Sequence, residues 1–256
     1  MKLKKALDIQ PGEVISLVGG GGKTTIMFAL ARELASSGKT TITATTTKIF
    51  EPSPSETPYV LVEPDEEHLV EKLHHAMEKY RHITLASARL SSGKLNGIST
   101  ELVTKLAQLN KVSYIIVEAD GASHKSLKAP NANEPVIPDN TSLVLAVVGV
   151  DAVGCRLTQE HVFRPEIASR LLELPMDEAI SAEAVARLIT HPQGIAKGSP
   201  VLARIIPFIN KVDLAEGLIK GRGLASNILA MTHPRIERVI LGHAQLPEPV
   251  VEVIDS

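Results

Sequence analysis

Four consecutive glycines, Gly19 to Gly22, run straight into Lys23-Thr24-Thr25 between an apolar segment and a helical one. Few chain conformations satisfy such a stretch. Without Cβ atoms the backbone can turn tightly and bring its N–H groups against an anion. A helix that begins at once adds the partial positive charge of its N-terminus. The pattern predicts a phosphate cradle in which Gly19, Gly20, Gly21, Gly22, Lys23, Thr24 and Thr25 bind a nucleotide. Lys23 reaches the β- and γ-phosphates and the Thr24 hydroxyl ligates magnesium. The spacing departs from the usual P-loop, which sets four residues between its first glycine and the Gly-Lys pair. Counted from Gly19, only Gly20 and Gly21 intervene, and the residue that keeps the usual spacing is Leu17.

The rest of the chain alternates apolar runs with helical patterns, and no internal repeat or low-complexity tract interrupts it. Strands are expected at Glu13–Val18, Thr40–Ala44, Tyr59–Val62, His82–Ala86, Tyr114–Val117, Leu143–Val148, Ala203–Ile209 and, last, Glu237–Leu241. Helices are expected at Thr24–Ser36, Glu66–Arg81 with Asp65 as its cap, Ser99 to Asn110, and Leu214–Met231. Residues 159–200 read as helical, with a break at His191–Gly194. Strands apolar on both faces that alternate with helices make a mostly parallel sheet covered on both sides. The expected fold is therefore α/β, a three-layer doubly wound sheet of P-loop NTPase type. It forms one domain over residues 1–256, with a helical insertion around 155–200. Ligands in such folds sit at the carboxyl ends of the strands.

Three further loops at those ends carry chemistry. Thr45-Thr46-Thr47-Lys48 offers hydroxyls to magnesium, to an attacking water or to a γ-phosphate; Thr47 is the catalytic candidate and Lys48 can neutralise charge. Tyr114-Ile115-Ile116-Val117-Glu118-Ala119-Asp120-Gly121 ends an apolar strand in acids, the form of a strand that holds magnesium, usually through water. Glu118 follows the apolar run directly and is preferred as the metal-side carboxylate, with Thr24 as its partner. Asp120 is the alternative, or a base that orients water. The segment His124 to Lys128 offers phosphate or partner contacts, or merely solvated charge. Asn210-Lys211-Val212-Asp213 follows another buried strand. An Asp carboxylate there accepts two hydrogen bonds from guanine, a donor pair that adenine lacks. Lys211 can lie over the base and Asn210 can bridge loops, with Gly242-His243-Ala244 supplying a further base loop. GTP is thus favoured, with ATP possible.

Composition excludes other classes. A formal charge of −2 gives no excess of cations for nucleic-acid phosphates. With no Trp and only four Phe and three Tyr, a single-strand binder built on stacked bases is not expected. The lone Cys155 allows neither an internal disulfide nor a cysteine-rich metal site, and no base partners it. His74-His75 has no matching ligand cluster and reads as structural or solvated. The longest apolar run, Leu143 to Val150, is too short to span a bilayer. The basic N-terminus leads into Asp8, Gln10 and Glu13 instead of an apolar stretch, so a cytoplasmic chain is expected, without membrane contact.

Taken together, Val-Gly-Gly-Gly-Gly-Lys-Thr-Thr (18–25), Thr-Thr-Thr-Lys (45–48), Val-Glu-Ala-Asp-Gly-Ala (117–122), Leu-Lys-Ala-Pro (127–130), Asn-Glu-Pro-Val-Ile-Pro (133–138) and Val-Gly-Val-Asp-Ala-Val-Gly (148–154) resemble the YqeC family over nearly the whole chain. The resemblance implies an accessory protein of selenium-dependent molybdenum hydroxylases, whose partners would be such a hydroxylase or its cofactor-maturation proteins. More distantly the chain resembles the P-loop class of signal-recognition and metallochaperone GTPases, which implies a nucleotide-gated homodimer. The Cys/His metal site of the urease-type metallochaperones has no equivalent here. The leading expectation is a magnesium-dependent GTPase that gates a partner's maturation. Arg156 and Arg164 are candidates for an arginine finger, and His161, Arg164 and Asp151 for lining the site. The alternatives are a phosphoryl or nucleotidyl transferase acting on a small molecule such as a pterin, with its acceptor near 150–200, and a nucleotide-dependent binding protein without turnover.

Overall fold

The computed structural model describes residues 1–256. In chain order the elements are α1 (Leu3–Ala6), β1 (Val14–Gly19), α2 (Lys23–Ser36), β2 (Thr41–Thr45), β3 (Lys48–Phe50), β4 (Val60–Val62), α3 (Glu66–Lys79), β5 (His82–Ala86), β6 (Ala88–Arg89), β7 (Lys94–Asn96), α4 (Thr100–Ala107), β8 (Tyr114–Glu118), β9 (Leu127–Lys128), β10 (Leu143–Gly149), β11 (Val162–Phe163), α5 (Pro165–Leu172), α6 (Ala182–Thr190), β12 (Arg204–Asn210), α7 (Gly217–Ala230), β13 (Arg238–Gly242) and β14 (Val250–Asp255). Nine strands form one sheet in the order β14-β13-β12-β10-β1-β8-β2-β5-β4. Every pairing in it is parallel except β13 with β14.

Burial on both faces explains the near-continuous apolar strands. Along β10, Leu143, Leu145 and Val147 point into a core with α1 and α2, while Val144, Ala146 and Val148 point into a core with α5, α6 and α7. Ile115 and Val117 of β8 join β2, β5, α3 and α4 in a third cluster on the latter face. The sheet is therefore the middle of three layers, as the alternating pattern requires. Chain order runs outward on one side of β1 and returns through β8 before crossing to β10. The carboxyl ends of β1, β8, β2, β10 and β12 consequently meet along one edge, where ligands of such sheets bind.

Several expectations change. Helix ends at Thr190, at the expected break, but residues 173–181 are a further break and residues 195–200 do not resume a helix. Pro175 disfavours helical backbone at the residue before it, and Glu173 and Asp177 take left-handed φ values of 53° and 65°. Arg238–Gly242 is not the last strand, because β14 folds back antiparallel on its edge. The three-stranded sheet β3-β7-β6 and the pair β11-β9 also stand outside the expected elements. Strands of two or three residues carry no readable period. No helix is long and apolar enough to cross a membrane.

One polar seam lies beneath α2. Thr43 Oγ1 is 3.0 Å from His82 Nε2 and 2.7 Å from Thr84 Oγ1, and the His82 ring lies near Phe28. Burial, with a smaller push from Arg32, lowers the His82 pKa from 6.5 to about 4. The unfolded chain takes up this proton first as the pH falls, so the stability is whole above about pH 6.5 and is lost toward about pH 4. His82→Gln is expected to remove this dependence, which amounts to on the order of 3 kcal/mol across the window. Denaturant midpoints of both proteins through that window check it; parallel curves would assign the titration to another group.

Candidate functional site

β1 ends at Gly19 and α2 begins at Lys23, so the four glycines make the whole turn. The turn is packed from both sides. A Cβ on Gly21 (φ +74°) would collide with the Gly149 backbone, and one on Gly22 (φ +121°) with the Asn210 side chain. Asn210 is buried; its Nδ2 donates to Gly21 O at 2.7 Å, and its Oδ1 accepts from Ala244 N at 2.9 Å. One amide thus ties the loop after β1 to those after β12 and β13, the bridging role expected of Asn210. Gly20 and Gly21 donate their amides to Val147 O and Lys125 O. The amides of Gly22, Lys23, Thr24 and Thr25 have no protein acceptor, as the first turn of a helix leaves them.

Lys23 is 4% exposed. Its Nζ donates to Gly19 O at 2.8 Å and lies 3.1 Å from Asp120 Oδ1 and 3.6 Å from Glu118 Oε1. Burial works against its charge, but the two carboxylates outweigh burial and hold its pKa above the usual lysine value. Glu118 is also buried, which pushes its pKa up against the pull of Lys23 and Thr24. Thr24 Oγ1 donates to Glu118 Oε2 at 2.6 Å, so the two residues expected at magnesium lie side by side. Asp120 meets Lys23 with one oxygen and faces away from it with the other. Its Oδ2 accepts from Gly19 N at 3.1 Å and pairs with Lys128 Nζ at 2.9 Å.

Lys128 is the residue that sequence reasoning placed worst. Solvated charge was one option for it, yet it is fully buried. Besides Asp120 it meets Glu134 Oε2 at 2.7 Å and the Gly121 carbonyl. Glu134 is in turn held by Arg164, at 2.6 Å from NH1, and its pKa falls: burial would raise it, but Arg164 and Lys128 together prevail. Lys23, Asp120, Lys128, Glu134 and Arg164 form one chain of alternating charge from the cradle to the start of α5. The Leu-Lys-Ala-Pro and Asn-Glu-Pro segments hold two of its members, and only three-dimensional proximity reveals the pairing.

The remaining candidates divide. Thr25, Thr47 and Lys48 line the same cleft as Gly21–Thr24 and Glu118, a cavity of about 920 Å³. Thr45 Oγ1 donates to Glu118 O and lies 3.3 Å from Thr47 Oγ1. Lys211 reaches the cleft wall, where Asp151 and Ser126 hold its Nζ at 2.8 and 2.7 Å. Asp213 lies outside that wall, exposed, with Oδ1 3.5 Å from His243 Nδ1. Arg156 is exposed and bonds the Asp177 carbonyl. His74 and His75 are exposed, and no group of three metal-ligating side chains exists. Phe50, Lys94, Asn96 and Phe163, which line the cleft, carried no sequence signal because they sit on the short strands β3, β7 and β11.

Lys128→Met is expected to cost roughly 3–5 kcal/mol, because it leaves the buried Asp120 and the half-buried Glu134 short of a cation. Equilibrium denaturation checks it. A loss under about 1 kcal/mol would mean that the chain of charges is solvated and its members nearly independent.

Comparison with known proteins adds three findings. A family model described as "YqeC protein" matches residues 15–166. That range holds the cradle and the acidic strand β8, whereas Asn210–Asp213 lies beyond it. A curated Escherichia coli (strain K12) protein, described as "Uncharacterized protein YqeC", is 34% identical over 206 residues, 80% of this chain and 78% of its own length. Among solved structures, FlhF complexed with GTP/Mg(2+) is similar with a TM-score of 0.39 and 13% identity, over 98% of this chain and 77% of that one. That likeness is too low to bear on the site.

Proposed function

The chain belongs to the YqeC family, and we propose that it is a magnesium-dependent nucleoside-triphosphate-binding protein that reads GTP and hydrolyses it. One observation carries this: a buried Lys23 ammonium and four free amides converge on the mouth of a glycine turn, beside the Thr24–Glu118 oxygen pair. Cations and N–H donors on one side fit the phosphates. The donor set on the other is hard oxygen, which suits magnesium. Glu118 fits as well: burial raises its pKa against the pull of Lys23 at 3.6 Å, and a metal cation at its carboxylate would add to that pull.

Lys23 and the glycine-loop amides hold the terminal phosphates and stabilise charge that spreads over the γ-phosphoryl oxygens. Thr24 and Glu118 hold magnesium, which supplies neutralisation of the phosphate charge when bound. Thr47, next to Glu118 through Thr45, orients the attacking water, and Asp120 keeps Lys23 and the Gly19 amide in place. Asp213 reads guanine once its carboxylate leaves His243, while Asn210 keeps the base loops tied to the cradle. The accessory role toward a molybdenum-dependent hydroxylase, and a nucleotide-gated homodimer, rest on family resemblance alone. Orthophosphate released from GTP alone supports hydrolysis. Loss of GTP only with an added acceptor supports transfer, and tight binding without product supports a binding protein.

Lys23→Ala is expected to weaken GTP binding about ten-fold or more while the fold survives, because a charge-assisted contact is lost. Calorimetry of the folded variant checks it, and unchanged affinity removes Lys23 from the site. In a phosphate-release assay, Glu118→Gln should impair magnesium-dependent turnover more than Asp120→Asn; the reverse ranking moves the metal role to Asp120. For the base, the parent should prefer GTP to ATP, and Asp213→Asn should shift that preference toward xanthosine triphosphate. Xanthine carries an oxygen where guanine has its amino group, and an Asn amide can donate to it. Competition among the three nucleotides reads both effects; equal parental affinity for GTP and ATP defeats the guanine assignment.

A further inference from the structure

The cleft extends away from the base. It runs from Lys211 past the cradle to β3 and β7, while Asp213 and His243 lie outside its wall. β3 follows β2 and β7 follows β5, so this flank stands on the opposite side of β1 from β12 and β13. On the nucleotide reading the base loops after β12 and β13 therefore lie away from this flank.

The flank has a definite chemistry. Five lysines line the cleft: Lys23, Lys48, Lys94, Lys125 and Lys211. Lys23 and Lys211 are paired with carboxylates. Lys48, Lys94 and Lys125 have no carboxylate partner, and the cleft's two acids, Glu118 and Glu134, are engaged by Lys23 and by Lys128 and Arg164. Rings line the same cleft. Of the four phenylalanines, Phe28 and Phe208 are core, whereas Phe50 and Phe163 both line this cleft. Phe50 is 52% exposed, an unusual state for a ring in a concave wall. His124 stacks on it at 5.6 Å, and the Lys94 ammonium is held 4.8 Å from its centroid. The turn that presents His124 is strained: Ser123 and His124 take φ values of +47° and +62° in succession. Strain of this kind persists where a site over-determines it.

We propose that this flank is a second ligand site, contiguous with the phosphate cradle, for a small anionic molecule that carries a planar ring. Lys94 and Lys125 neutralise the anion, and Phe50 takes the ring; Phe163 is already covered by the Arg164 guanidinium, 4.4 Å from its centroid. The inference deepens the nucleotide reading and rests on it only for what occupies the neighbouring cradle. A protein built this way binds two ligands side by side, a nucleotide and a co-ligand of opposite charge to the flank.

The test uses the full chain and phenyl phosphate as probe, with methyl phosphate as its ringless counterpart. Each is titrated calorimetrically into protein saturated with magnesium and a non-hydrolysable GTP analogue, and into Lys23→Ala without nucleotide. Phenyl phosphate is expected to bind in both, and more tightly than methyl phosphate. Lys94→Glu should weaken it at least about ten-fold, and Phe50→Ala should erase the preference for the ring. Both variants should keep the parent's affinity for the analogue and its circular dichroism. Displacement of phenyl phosphate by the analogue would place it in the cradle and overturn the proposal. So would no saturable binding, or unchanged affinity in Lys94→Glu. Failure of the nucleotide reading shows separately, as an analogue that does not bind the parent, and the Lys23→Ala titration still reads the flank.

Discussion

A single buried ammonium organises this protein. Lys23 has its charge enclosed by Gly19 O, Asp120 and Glu118, and each partner comes from the end of β1 or β8. A lysine this buried is tolerable only when paired and hydrogen-bonded. The pairing requires β1 and β8 to be neighbours, in the register that sets Leu17 beside Glu118. The order of the sheet at its centre is therefore also the condition for keeping Lys23 charged. Asp120 passes the constraint on through Lys128 and Glu134 to Arg164, so the helical segment after β10 is tied electrostatically to the cradle.

A second clamp works from the other side. Asn210 fills the space that a side chain on Gly22 would need, and its two amide atoms hold the loops after β1 and β13. The glycine turn is thereby fixed between two neutral contacts and one ionic cluster. Its shape is set in advance, so on the proposed reading a phosphate would not have to order the loop. What must change is the distribution of charge. On the proposed reading, the carboxylates that hold Lys23 would compete with a phosphate for it, and a cation at Glu118 would relieve that competition.

Much of this was legible in the chain. Gly19 to Thr25, Glu118 and Asn210 carry signals that depend on local order: an apolar strand, a turn of special residues, then a helix or an acid. The structure brings these residues to one edge because parallel strands share a direction. The caps Asp65 and Ser99 were legible too, as each side chain accepts the amide three residues on. Lys128 was not, because a lysine amid charges looks solvated until Asp120 and Glu134 are seen beside it. Phe50 and Lys94 were hidden for a different reason, since they stand on strands too short to leave a period in the sequence.

The sequence by itself determined the fold class, the position of the cradle and the acids that face it. These follow from backbone conformation and from burial on both faces of a sheet, and neighbouring residues encode both. Tertiary structure decided between Glu118 and Asp120 as the carboxylate that meets Thr24, and it alone decided which meets Lys128, that Asp213 stands outside the cleft, and that β3 and β7 build its far wall. Those outcomes depend on pairing between residues tens of positions apart. Coulombic and packing energies act through distance in space, and only the folded chain sets that distance.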